Sequence, residues 1–205
     1  LSEYEPFFDS TEPPEDDDLD LVREAFARAA RPYLYSPWPW VTWALVLAAA
    51  AFTSPLTLRL FGLPGVLMLW SLAILAGGAA ELVAIRRRRR EQPGSTLARW
   101  VFRAQGNLSL VAAALSAALL VRSPTLATVL PGLWLLLLGH SFFAQGGLAF
   151  PPLRQAGWMY QLGGVASLAL AWAPGRGALA AFASTVTVAN LWVAWALIRQ
   201  RRETG

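Results

Sequence analysis

Apolar residues along the chain come in long runs, and the polar residues cluster at their ends. Six runs are near the length that crosses a bilayer as a helix, about 20 residues. They cover residues 38–54, 63–85, 97–121, 126–150, 155–173 and 178–198. Between the second and third stand five consecutive arginines, Arg86 to Arg90. Five fixed positive charges cannot lie in hydrocarbon, and anionic head groups hold such a block on the cytoplasmic side. That pins one turn inside the cell and orients every other run. Fourteen of the seventeen cationic residues then fall on the cytoplasmic side, leaving Arg59, Arg122 and Arg176 outside. The pattern predicts an all-α polytopic membrane protein with six transmembrane helices and both termini cytoplasmic, in a bacterial inner membrane.

The flanks read differently. Residues 1–20 hold nine carboxylates, three prolines and the aromatic cluster Tyr4, Phe7 and Phe8. This composition fits a disordered tail, or a segment that docks on a partner with Phe7 and Phe8 as anchors. It does not read as a cleavable signal peptide. Residues 21–31 fit a short interfacial helix, capped by Asp18 or Asp20, with Leu21, Ala25, Phe26 and Ala29 on one face. Tyr33, Tyr35, Trp38, Trp40 and Trp43 follow as an aromatic belt at the bilayer entry. Ser54-Pro55 is expected to open an outer loop, and residues 199–205 form a basic cytoplasmic tail.

Charge and composition narrow the chemistry. The pI near 10.3 belongs to an arginine-studded membrane body, because ten of the thirteen acidic residues lie between Glu3 and Glu24. A basic patch interleaved with aromatics for nucleic-acid binding is missing. Cysteine is absent, which removes thiol chemistry, disulfides and thiolate metal sites. All seventeen cationic residues are arginine, so a Schiff-base or phosphate-loop lysine is absent too. One histidine, His140, cannot ligate a haem on both faces, and no neighbouring Asp, Glu or Cys completes a metal site. The expectation is a protein without catalytic residues, cofactor or metal. The glycine pairs 77–78, 146–147 and 163–164 read as close helix contacts rather than phosphate cradles.

Polar side chains within the runs are few: Glu81, Arg103, Gln105, Asn107, His140, Gln145, Gln161 and Asn190. Such groups are costly in hydrocarbon and usually face a bundle interior or a cavity. All eight fall in the cytoplasmic half. Glu81 and Arg103 lie at similar depth on successive spans, and neither charge is tolerable alone, so an ion pair is expected between them. Arg99, Arg103 and Asn107 share one helical face, as do Ser141 and Gln145. The plainer reading makes the group interhelical hydrogen bonds, His140 included. The sharper one makes it a polar cavity open to the cytoplasm for a ligand or proton.

An internal repeat is visible. Leu69-Trp70 answers Leu133-Trp134 at an offset of 64 residues, and the same offset sets Glu81 opposite Gln145. Residues 99–113 match 157–171, aligning Trp100 with Trp158 and Arg103 with Gln161. Through Trp70, Gly78, Glu81, Trp100, Gly106, Ser109, Trp134, Gly139, Trp158, Gly164 and Ser167, residues 63–173 resemble the six-helix membrane proteins of the HdeD acid-resistance type. That resemblance implies a six-helix architecture and supplies no catalytic residues. The function expected is a non-enzymatic scaffold, or an accessory or assembly subunit of a membrane complex. Its partners would be other membrane subunits, engaged through residues 1–20, and anionic lipid head groups at Arg86–Arg90. The alternative is a small-solute permease or substrate-capture subunit. In size and in the Ala44/Ala48 spacing the chain loosely resembles the substrate-binding components of energy-coupling-factor vitamin transporters. A lipid head-group transferase is a third class, with Glu81 and Glu91 as its nearest carboxylates.

Overall fold

A computed structural model of the chain describes Leu21 and residues 36–89, 96–146, 150–173 and 176–204. The acidic tail, all of the interfacial helix but Leu21, Tyr33, Tyr35, Arg90 and Glu91 lie outside the described residues. Within them the chain is helical throughout, with no strand. The elements are α1 (Pro37–Arg89), α2 (Thr96–Arg122), a 3-10 turn (Pro124–Val129), α3 (Leu130–Gly146), α4 (Pro151–Leu170) and α5 (Gly177–Thr204).

A straight helix as long as α1 would reach about 80 Å, far beyond a hydrocarbon core of about 30 Å. It does not run straight. Gly62 sits at φ 64°, a conformation that only glycine enters without strain, and splits α1 into arms 37–61 and 63–89. The arms fold back on each other. Trp43 on the first covers Gly77 on the second, and the Trp70 indole reaches Ser54 at 2.9 Å. The loop expected from Ser54-Pro55 is therefore helix, and the turn falls eight residues later. Two hydroxyls in that stretch donate to carbonyls one turn back: Thr53 to Ala49 and Ser54 to Ala50, both at 2.7 Å. Pro64 lies in the opening turn of the second arm, where a missing N–H costs nothing.

The closest packing is between α3 and α4. Glycines recur every seven residues on both: Gly132, Gly139 and Gly146 against Gly157 and Gly164. A Cβ on Gly139 would sit 2.8 Å from the Gln161 nitrogen and 2.9 Å from the Gly157 oxygen. One on Gly157 would sit 2.5 Å from the Phe143 nitrogen. The two backbones touch, as small-residue seams in membranes allow.

Helix α5 lies against both α1 and α4 and supplies the most buried positions, with Val186, Ala189 and Val193 fully enclosed. Leu135, Leu153, Ala156, Tyr160, Leu47 and Ala51 complete the same core. Helix α2 is peripheral. It packs chiefly on the 3-10 turn and on α3, and of its described side chains Ala112 is buried while Leu110, Val111 and Val121 are exposed.

Among the described residues three segments are long and apolar enough to cross a membrane: Pro37–Arg87, Thr125–Gly146 and Gly177–Glu203. Helix α4 carries Arg154, Gln155 and Gln161 and falls short on composition, while the apolar part of α2 is the shorter Gly106–Arg122. The outer faces are apolar: Leu60, Phe61, Met68 and Leu75 are each more than 60% exposed. Water penalises such a surface, and lipid accepts it.

The seam between α3 and α4 predicts a contrast. Gly157→Ala gains about 1 kcal/mol of helix propensity but meets backbone, and overpacking of that kind costs about 1–3 kcal/mol. It should lower the melting temperature of detergent-solubilised protein. Gly78→Ala, where nothing lies within 4 Å, should leave it unchanged or raise it.

Candidate functional site

Side-chain hydrogen bonding between helices centres on tryptophan. An indole N–H can only donate, and in hydrocarbon water does not meet it. Trp70 donates to Ser54 at 2.9 Å, across the α1 hairpin. Trp134 on α3 donates to Ser116 on α2, also at 2.9 Å. In both cases the serine passes its own hydrogen to an alanine carbonyl four residues back at 2.7 Å, Ala50 for Ser54 and Ala112 for Ser116. The same three-membered relay thus occurs twice. A third indole, Trp192 on α5, donates to Gln155 on α4 at 3.0 Å. The Trp43 indole faces the Glu81 carboxylate across the α1 hairpin.

Aromatic contacts continue these links. Trp40 meets Phe142 at 5.6 Å and Phe142 meets Tyr160 edge-on at 5.3 Å, which ties α1, α3 and α4. Trp70 meets Phe182 on α5 edge-on at 5.4 Å. Arrangements of this kind add about 0.5–1.5 kcal/mol each beyond burial.

The eight polar residues singled out from the sequence occupy separate settings. Glu81 is half-buried and faces Trp43; no ion pair joins it to Arg103. The hairpin turn at Gly62 brings Trp43 level with Glu81, whereas α2 packs chiefly elsewhere and leaves Arg103 exposed. Asn107 and His140 are exposed as well, so His140 does not make the interhelical bond expected of it. Gln145 donates to Ser141 on its own helix at 2.8 Å. Gln161 is half-buried where α4 crosses Gly139. Gln105 lies in α2, and its side chain is outside the described residues. Asn190 is buried at 2% exposure facing the Tyr160 hydroxyl, but its Nδ2 has no partner in hydrogen-bond geometry. Among the described residues no group of three His, Asp or Glu is placed to hold a metal ion.

Several positions that matter here escaped the sequence reading. The sequence places Ser54 at the start of an outer loop and marks neither Ser116 nor Gln155. A signal was present: each serine follows an alanine by four positions and precedes a Leu-Trp pair. The seven-residue glycine spacing was equally visible at 132, 139, 146 and at 157, 164. A comparison of the chain with known protein families, with curated proteins and with solved structures finds no match.

Two double-mutant cycles test these assignments on solubilised protein. Ser54→Ala combined with Trp70→Phe should show coupling of about 0.6–2 kcal/mol, the range of interhelical bonds in membranes. Glu81→Gln combined with Arg103→Gln should show none. Coupling between Glu81 and Arg103 as large as that of the Ser54–Trp70 pair would contradict the packing of α1 and α2.

Proposed function

We propose that this is a non-enzymatic, multi-pass inner-membrane protein that serves as a scaffold or accessory subunit of a membrane complex. The observation carrying this reading is the repeated tryptophan–serine relay. Polar side chains between the helices hold helix to helix. Ser54 and Ser116 stand 62 residues apart against 64 for Trp70 and Trp134, so the relay recurs near the offset of the expected repeat without keeping its register. Six crossings with cytoplasmic termini remain the favoured topology, supported by the arginine asymmetry. The architecture would then be of the HdeD type.

A second reading, a permease or capture subunit, is favoured by one observation, the unsatisfied Asn190 amide beside Tyr160. A buried donor without an acceptor costs about 1–3 kcal/mol, and a polar solute could relieve it. Raised thermal stability with a vitamin or metabolite, lost in Asn190→Leu, would support that reading over the first.

Two measurements test the scaffold reading. The particle extracted in mild detergent should exceed the mass of one chain and contain a second membrane protein in fixed ratio. A lone monomer would count against it. For topology, a fluorescent protein fused at Gly205 should fluoresce, and alkaline phosphatase fused after Arg122 should be active. The opposite pattern at either site would overturn the orientation.

A further inference from the structure

The C-terminal part of α5 carries a stripe that the bundle engages only at its first residue, Trp192. Trp192, Trp195, Arg199 and Arg202 recur at spacings of three and four, which places them on one helical face. Trp192 is fixed by its bond to Gln155 on α4, and its ring lies 5.0 Å from that of Trp195 at 31°. Arg199 holds its guanidinium 5.7 Å from the Trp195 ring centre. Its Nε donates to Glu203 at 2.9 Å, yet both side chains remain more than half exposed. Arg202 is exposed one turn further on.

We propose that this stripe is a seat for the phosphate of an anionic phospholipid head group. Indole rings settle at the boundary between acyl chains and head groups. The next turn lies about 5 Å further out along the helix, at the level of the lipid phosphates. There Arg199 is held by ring stacking and by one carboxylate, which leaves its two terminal nitrogens to meet phosphate oxygens in the planar fork that suits them. Glu203 competes for the same cation. The two tryptophans hold depth, and the pair of arginines selects charge. The site does not depend on the scaffold reading.

Native mass spectrometry of the purified full chain, mixed in detergent with phosphatidylglycerol or phosphatidylcholine, tests this. Retention of phosphatidylglycerol should exceed that of phosphatidylcholine, and Arg199→Gln with Arg202→Gln should lower it about tenfold. Glu203→Gln should raise it severalfold by freeing Arg199. Arg59→Gln removes an exposed arginine near the Gly62 turn and should change nothing. Equal retention of the two lipids would overturn the site. So would an equal loss in Arg59→Gln, or a double variant that keeps its anionic lipid at an unchanged melting temperature.

Discussion

An N–H or O–H that leaves water for hydrocarbon is costly unless another protein atom meets it, and outside the Asn190 amide this bundle is arranged around that demand. Its interior carries few acceptors besides backbone carbonyls, most of which their own helices already use. Serine resolves the shortage. Ser54 and Ser116 each accept an indole hydrogen and donate their own to a carbonyl four residues back. One hydroxyl thus joins two helices and leaves no polar atom of the trio unmet. The energies are modest, about 0.6–2 kcal/mol for such a bond. Direction matters more than size, because each bond sets the axial register of one helix against the next.

The closest packing joins a different pair of helices, which neither relay links. The glycines of α3 and α4 interlock because they meet at the same heights. Gly139 lies against Gly157, and Gly132 against Gly164. A slip of one residue would drive side chains such as Leu136 or Phe143 into the opposite backbone. With α3 and α4 fused so tightly, α5 can rest on α4 and present its other flank to α1. Helix α2, tied on mainly through the 3-10 turn, the first turns of α3 and the Ser116–Trp134 bond, leaves most of its apolar surface to lipid.

Much of this was legible from residue type alone. Apolar run length and arginine placement identify a helical membrane protein, and the offset between Trp70 and Trp134 marks the two places where the relay recurs. Segment ends proved less legible. Ser54-Pro55 has turn chemistry, yet the helix runs on to Gly62, which takes a left-handed angle. The candidate site fared worst for a related reason. Pairing Glu81 with Arg103 assumed that successive spans pack side by side, whereas the fold of α1 offers Glu81 an indole instead. Which neighbour a polar side chain meets depends on helix rotation and order, and local sequence encodes neither.

The indole N–H groups report on this account directly. Of the ten tryptophans, Trp70 and Trp134 should give 1H–15N indole resonances at the downfield positions of hydrogen-bonded donors in lipid nanodiscs. Ser54→Ala should move the Trp70 resonance upfield and spare Trp134, and Ser116→Ala should do the reverse. Thr53→Ala, which removes a neighbouring hydroxyl bonded only to its own helix, should move neither. If both indole resonances stay in place when their serines are removed, the relays do not hold the helices in register and the account fails.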